Sequence, residues 1–535
     1  MSTILSKSSI LKKTFEVASS TLMSRVLGII RETLSVRYLG AGMASDAFLT
    51  AFRLPNTLRK IFAEGALSAA FVPTLVKVVR QEGKEEANRL MSLAFLIFEG
   101  LVLLLCALAM WQAEFTIKLM APGFSAEKIA FAVPLLRILM PFIFFISSSA
   151  LLAGALQSVG HFFVPAFSPV LLNVFFITGL VACWTLNLPV THLCFFILFG
   201  GLVQFIGHLV AYFKLGFAFG AISIGVLRNF GSVLANFLLG SISMSVVEIN
   251  LFIDSQFASY LPEGSVSLIY YANRFMGIPL GVFAVAFSTI LLPHFSRITA
   301  YAPKRLSFYL LETSKFVAWV TIPATLMMCF FAQKFFATLF LSEKFTMAQA
   351  VETGHILIAF TIGLLFFSLN KIILSMYYAL HAPWIPAMIA AFGAIINIVL
   401  DYILIEYWQA TGLALATTIS AIVQTICLVA LFRSKFSIVL FRKRFVWESN
   451  FKLYIKQFAL FIWRYTLQLS LIFSTAFALY YGIELWIATS LSMGLKNFLL
   501  FGLGFWFWVG PLCGLTFLAL FYSRKWFNVQ LYFLD

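Results

Sequence analysis

The chain has 535 residues, 61% of them hydrophobic and 11% charged, with 62 Phe, a mean hydropathy of +0.97 and a formal net charge of +16. A water-soluble fold cannot hide that much apolar surface, because even a large core leaves much of a chain exposed. Short alternating strands of the membrane-barrel kind are absent, so the composition leaves an all-α, polytopic membrane protein.

In chain order, the N-terminus carries Lys7, Lys12 and Lys13 and then an interrupted, charged apolar stretch. That is not the pattern of a cleaved signal peptide, so the first helix is expected to insert and stay. Hydropathy and turn punctuation predict about 14 transmembrane helices. They cover 12–37, 44–80, 90–113, 128–157, 162–187, 190–215, 227–261, 265–297, 305–335, 349–380, 383–406, 411–433, 455–483 and 490–522. Runs such as Met91 to Met110 and Ala387 to Ile405 are long enough to cross about 30 Å of hydrocarbon as a helix.

An even number of spans puts both termini on one side. The basic clusters "SKSSILKK", "KVVRQEGKEEANR", "RITAYAPKR", "FRSKFSIVLFRKRF" and "SRKW" then all face the cytoplasm, as the positive-inside rule expects. The outside loops "NLPVTH" and "YLPEGS" carry no Lys or Arg. Topology therefore accounts for the positive charge without nucleic acid as a partner. The six Cys are isolated within apolar runs and form no metal or redox spacing, which reads as small buried apolar residues.

The chain repeats itself. "AFRLPNTLRKIFAEGALSAAFVPTLVK" (51–77) parallels "YANRFMGIPLGVFAVAFSTILLPHFSR" (271–297), and "ALQSVGHFFVPA" parallels "ALHAPWIPA". Arg53 to Arg274, Pro73 to Pro293 and Pro165 to Pro386 are all shifts of about 220 residues. Two pseudo-symmetric six-helix lobes follow, at 1–220 and 221–435, with two further C-terminal helices after a basic linker in 436–535. Parallel repeats of this kind hold their substrate site where the repeats meet.

Charges inside a membrane are costly, so each implies a cavity or a partner. The first helix holds Arg25, Arg31 and Glu32 within "SRVLGIIRE", with Arg37 beyond. The second holds Asp46, Arg53, Arg59, Lys60 and Glu64, and the eighth adds Arg274. Positive residues exceed negative ones across the first two helices. Arginine offers bidentate donors to phosphate oxygens and stays charged at any depth, so a cationic cavity for an anion is expected. Interfacial snorkelling is the alternative, most of all for Arg37 and Lys60. In the other half, "IINIVLDYI" places Asn397 and Asp401 four residues apart on one helix face. Thr417 and Asp254 add hard oxygen ligands of a kind that binds a small cation; helix capping or a surface position reads equally well from these residues alone.

The stretches "SRVLGIIRE", "GAGMASDAF", "LPNTLRKIFAEGALSAAFVP", "YYANRF" and "KFT" resemble the MurJ/MviN lipid II flippases. The resemblance runs through most of the first twelve spans and is strongest in 20–80. It implies the multidrug/oligosaccharidyl-lipid/polysaccharide exporter fold, with a central cavity. It also implies transport of lipid II, the undecaprenyl-pyrophosphate-linked peptidoglycan precursor, to the periplasmic leaflet by alternating access. Substrate-binding positions carried over are Arg25, Arg31, Arg59 and Arg274, with acidic positions at Asp46 and Glu32; the charges of the second helix add Arg53 as a further substrate-binding candidate. The family's sodium site maps onto Asp254, Asn397, Asp401 and Thr417, which makes Na+ the candidate coupling ion with the membrane potential as the alternative drive, and the last two helices map onto a groove for the lipid tail. Membrane lipids and the cell-wall synthesis machinery are the implied partners, in a bacterial cytoplasmic membrane with both termini cytoplasmic. The family often has acids at the positions of Asn273 and Gly277; their replacement makes the expected cavity more positive. Rival readings are a flippase for another polyprenyl-pyrophosphate-linked saccharide and a membrane scaffold for cell-wall synthesis. A drug exporter of the same fold would call for a neutral or acidic cavity. No nucleophile–base set or nucleotide-binding loop suggests an enzyme.

Overall fold

The computed structural model describes residues 7–64, 66–222, 225–301, 306–380, 382, 384–440 and 444–534. Among them every regular element is helical. A chain in hydrocarbon must satisfy its backbone polar groups internally, and a helix does so within one segment. The first half runs α1 (Lys7–Leu39), α2 (Met43–Arg59), α3 (Ala66–Gln81), α4 (Lys84–Trp111), α5 (Ala113–Met120), α6 (Ala126–Leu139), α7 (Phe142–Ser158), α8 (Phe163–Thr185) and α9 (Val190–Lys214). Next come α10 (Val226–Ser259), α11 (Ser265–Pro279), α12 (Ala286–Tyr301), α13 (Leu306–Phe340), α14 (Met347–Ile362), α15 (Leu364–Ala379) and α16 (Trp384–Leu440). The chain closes with α17 (Arg444–Ser490), α18 (Met493–Phe501) and α19 (Phe505–Ser523).

The helices break where the chemistry of the backbone demands it. α6 and α7 part at Pro141, which has no N–H to donate. α14 and α15 bend by 41° at Gly363. α16 is interrupted at Gln409, whose φ of +44° is foreign to a helix, so it counts as two spans, 384–408 and 410–440. Ser420 Oγ donates to the Gly393 carbonyl at 2.6 Å and ties these two halves together. Counted in this way the fourteen expected spans are all present, with the last one confined to α19.

The repeat is visible in the element boundaries. Helices start at residues 7 and 226, 43 and 265, 66 and 286, 84 and 306, 126 and 347, 142 and 364, and 163 and 384. Both copies of the second span also contain a π turn, Lys60–Glu64 in one and Leu280–Val285 in the other. A π turn is an uncommon feature that concentrates at functional sites; finding it at the same repeat position twice marks it as part of the inherited frame.

Length and apolar character mark α4, α6–α7, α8, α9, α13, α16, α17 and α19 as membrane-crossing, together with the bent pair α14–α15. The described residues of the other four spans, α1, α2–α3, α10 and α11–α12, do not meet that measure. These four are the first two spans of each half. The polar helices thus occupy equivalent positions in both copies.

Packing divides the chain into two units, residues 1–267 with 342–345, and residues 268–341 with 346–535. The first unit extends past the repeat boundary near 220 because α10 packs on α3 and α4. Phe230 and Phe237 of α10 meet the Phe98 ring at 5.8 and 5.0 Å, and Phe237 also meets Phe62 at 5.6 Å. In the second unit, Phe275 packs against Phe335, Phe336 and Phe340 of α13. Tyr480 of α17 stacks on Trp508 of α19 at 5.3 Å.

Candidate functional site

In the first unit, α1 changes character along its length. Leu22, Val26, Ile29 and Ile30 are exposed, whereas Glu32, Val36, Tyr38 and Leu39 are buried. Arg25 lies in the exposed part and makes no hydrogen bond or ion pair among the described residues. Glu32 is two turns away on the same face but is covered by packing. Arg31 is clamped from three sides. Its Nη1 donates to Asn173 Oδ1 of α8 at 2.9 Å, its Nη2 pairs with Glu32 Oε1 at 2.6 Å, and its guanidinium lies 5.1 Å from the Phe176 ring centre. Asn173 is itself oriented by donating to the Ser24 carbonyl and hydroxyl at 3.1 and 3.2 Å. Glu32 therefore serves the arginine.

α2 carries the next group. Arg53 Nη1 reaches the Leu251 carbonyl at 3.4 Å. The Arg59 guanidinium is held by Asn56 Oδ1, one helical turn back, at 3.0 and 3.2 Å. Lys60 Nζ lies 2.8 and 3.1 Å from the two Glu248 carboxylate oxygens of α10, and Thr57 Oγ1 donates to the same carboxylate at 3.4 Å. The sequence reading missed Glu248 as a partner because it balanced charges within the first two helices only.

Asp46 has a different setting. Its carboxylate is 1% exposed and pairs with Lys128 Nζ of α6 at 2.6 Å. It also accepts from the Gly264 N–H at 2.8 Å, the Ser267 N–H at 2.9 Å and the Ser267 hydroxyl at 2.5 Å. The surroundings are just as tightly closed. The Met43 N–H donates to Glu263, and the Gly123 N–H donates to Ser259 Oγ at 2.9 Å. Lys344 Nζ donates to the Tyr38 carbonyl at 2.9 Å, which places the "KFT" stretch in this cluster. Gly264 sits at φ +94°, where an added Cβ would meet the Ala41 carbonyl oxygen at 2.7 Å. Asp46 thus works as a latch among protein groups, and the geometry does not favour it as a head-group ligand.

In the second unit, Arg274 is exposed on α11, whereas Tyr271 and Phe275 are buried and pack on α13. Asn397 Nδ2 donates to Asp401 Oδ2 at 2.9 Å, and both residues are fully buried. The four-residue spacing does bring them together on one helix face. Thr417 lies in the second half of α16 and donates to the Leu413 carbonyl at 3.0 Å. Asp254, the remaining candidate ion ligand, belongs to α10 in the first unit. Amide, carboxylate and hydroxyl oxygens are the donor set that suits a hard monovalent cation, and a buried Asn–Asp pair fits that chemistry.

The profile of the family described as "Lipid II flippase MurJ" matches residues 35–495. The chain belongs to the MurJ family. The "Lipid II flippase MurJ" of Burkholderia cenocepacia is 34% identical over 420 residues, covering 77% of this chain and 81% of that protein. The "Probable lipid II flippase MurJ" of Buchnera aphidicola is 32% identical over 455 residues, covering 81% and 87%. A solved structure of "Lipid II flippase MurJ, inward closed conformation" superposes with a TM-score of 0.75 at 27% identity, over 96% of this chain and 98% of that one. An inward-facing multidrug transporter of the MATE family superposes at 0.67 with 16% identity, covering 78% and 96%, a likeness of fold. Membership of the MurJ family makes the chain a multi-pass membrane transport protein, as its helices indicate.

Proposed function

We propose that this MurJ-family chain flips lipid II from the cytoplasmic to the periplasmic leaflet by alternating access, its pyrophosphate held by Arg25, Arg31, Arg53, Arg59 and Arg274. The observation that carries this reading is the family match over residues 35–495, which takes in Arg53, Arg59 and Arg274 of the second and eighth spans, with Arg25 and Arg31 of α1 lying just before it. Arg31 supports it best. A guanidinium fixed by Asn173, Glu32 and Phe176 loses little further freedom when it meets an anion, and preorganisation of that kind favours affinity. Arg25 supplies a cation with no committed partner among the described residues. Transport of this kind needs no covalent chemistry.

The same reading places the chain in a bacterial cytoplasmic membrane with both termini on the cytoplasmic side. α17 and α19 would take the polyprenyl tail, and cell-wall synthesis enzymes would be its partners. Na+ bound by Asp254, Asn397, Asp401 and Thr417 would be the coupling ion, giving direction by binding one conformation better than the other. The deciding experiment is complementation of a bacterium depleted of its own lipid II flippase, with surface-exposed lipid II as the readout and membrane levels matched. Wild type should rescue, and Arg31→Ala and Arg59→Ala should not. Rescue by all three would remove the arginines from the account. Failure of a well-expressed wild type would favour another polyprenyl-linked substrate or a scaffold role.

A further inference from the structure

Glu248, unlike Glu32 beside Arg31, comes from outside the first two spans to pair with one of their cations. The cationic set of α1 and α2 is one in which positive charge is the functional commodity, yet this carboxylate neutralises one member of it. Both its oxygens lie on one ammonium, at 2.8 and 3.1 Å from Lys60 Nζ, and Thr57 Oγ1 adds a third donor at 3.4 Å. Thr57, in the last turn of α2, and Lys60, just beyond it, are three residues apart and both reach Glu248 of α10. The two partners differ in access: the Lys60 side chain is 34% exposed and the Glu248 side chain 12%. The lysine is open to an incoming group, and the carboxylate behind it is not.

A carboxylate and a phosphate make the same kind of charge-assisted hydrogen bond to an ammonium. Lysine presents its charge as a compact point on a flexible stem, so it can change partners without rebuilding the helix. Its position favours such a change. Lys60 opens the π turn Lys60–Glu64, five residues after Pro55, where the regular helical ladder is already interrupted.

We propose that Glu248 is a resident counter-anion that competes with the substrate pyrophosphate for Lys60. In the empty protein it holds the ammonium; the head group draws Lys60 away on loading; Glu248 takes it back on release. Glu248 is a positioning residue that acts through Lys60. Its effect is to lower ground-state affinity so that the head group can leave, which a purely cationic site would hinder. The inference rests on the lipid II reading above.

The test measures lipid II affinity and flipping rate separately, on full-length protein in lipid nanodiscs and liposomes, with thermal stability recorded for each variant. Glu248→Gln keeps the shape and the Thr57 hydrogen bond but removes the competing charge. It should bind lipid II about tenfold more tightly and flip it more slowly. Lys60→Met should bind more weakly, and adding Glu248→Gln to it should change nothing further. Unchanged or weaker binding by Glu248→Gln, with Arg31→Ala still impaired, would overturn the counter-anion role and leave the flippase reading standing. An equal gain in the Lys60→Met background would also overturn it, since the effect would not pass through Lys60. Should Glu248→Gln fail to fold, Glu248→Asp, which shortens the reach to Lys60 by one methylene, must show the same tighter binding and slower release for the proposal to survive. Absence of lipid II binding by wild type would overturn both readings together.

Discussion

α2 and α11 are two copies of one design that differ in what they carry. Each starts after a glycine-containing turn, each runs into a π turn, and each is followed by a helix of equal length. The first copy, through its π turn, bears Asp46, Arg53, Arg59, Lys60 and Glu64; the second has Arg274 as its only Arg or Lys and no acid. The frame was inherited in duplicate, whereas the charge was concentrated in one copy. Helical geometry depends on backbone and turn chemistry, which both copies retain. Binding chemistry depends on individual side chains, which can diverge as long as the helix still packs.

That comparison can be broken most forcefully at Asp46. Asp46→Ala leaves the Lys128 ammonium buried without its carboxylate, a loss of about 3–5 kcal/mol for a buried pair stripped of one partner. The expected outcome is a marked drop in unfolding temperature in detergent or loss of folded protein from the membrane. Survival at wild-type stability would show that the latch is not structural. An intermediate effect is expected for Gly264→Ala. It combines a left-handed backbone with a collision against the Ala41 carbonyl and should cost about 1–3 kcal/mol. Gly83→Ala is the control, because Gly83 also has a positive φ, +90°, but an added Cβ there meets nothing within 4 Å. If the two glycines cost the same, the close packing around Asp46 contributes nothing.

A sharper and smaller test uses the clamp on Arg31. Asn173→Leu removes the acceptor that fixes the guanidinium and should reduce lipid II flipping less than Arg31→Ala does, with expression unchanged. Equal losses would mean that Arg31 acts only as it is held by Asn173. The smallest effect is expected at Glu114 and Lys118 of α5, an exposed pair 2.6 Å apart. The lysine holds the Glu114 carboxyl below its usual range by hydrogen bond and charge. A depressed carboxylate pKa adds stability above its unfolded value and loses it as pH falls through the folded one. Full exposure makes that contribution negligible, so Glu114→Gln should leave both the unfolding temperature and its dependence on acid pH unchanged.

The spans were legible because each must be long and apolar, or must interrupt that pattern with charges, and either signal is local. The repeat was legible because Arg53 and Arg274, or Pro165 and Pro386, keep one offset. The Asn397–Asp401 pair was legible because four residues make one helical turn. The long-range partnerships were not. Arg31 meets Asn173, Lys60 meets Glu248 and Asp46 meets Lys128 across 142, 188 and 82 residues, and nothing in either local stretch names its partner. The family resemblance gives Asp46 and Glu32 as acidic site positions, and the structure engages both with protein groups. Asn173 offered a faint signal as an isolated amide in the apolar run Val170 to Leu186.

Each π turn also has a consequence for how this protein tolerates insertions and deletions. It carries one residue more than α-helical winding requires. Deleting one residue within Lys60–Glu64 lets the helix close into regular winding while α3 keeps its facing. The same deletion inside α3 turns everything beyond it by about 100° and swings its apolar side chains off the neighbours they pack against. Leu280–Val285 holds a second reserve of the same size. Each half can therefore lose one residue from its second span at a single place, and that place stands at the same point in both copies.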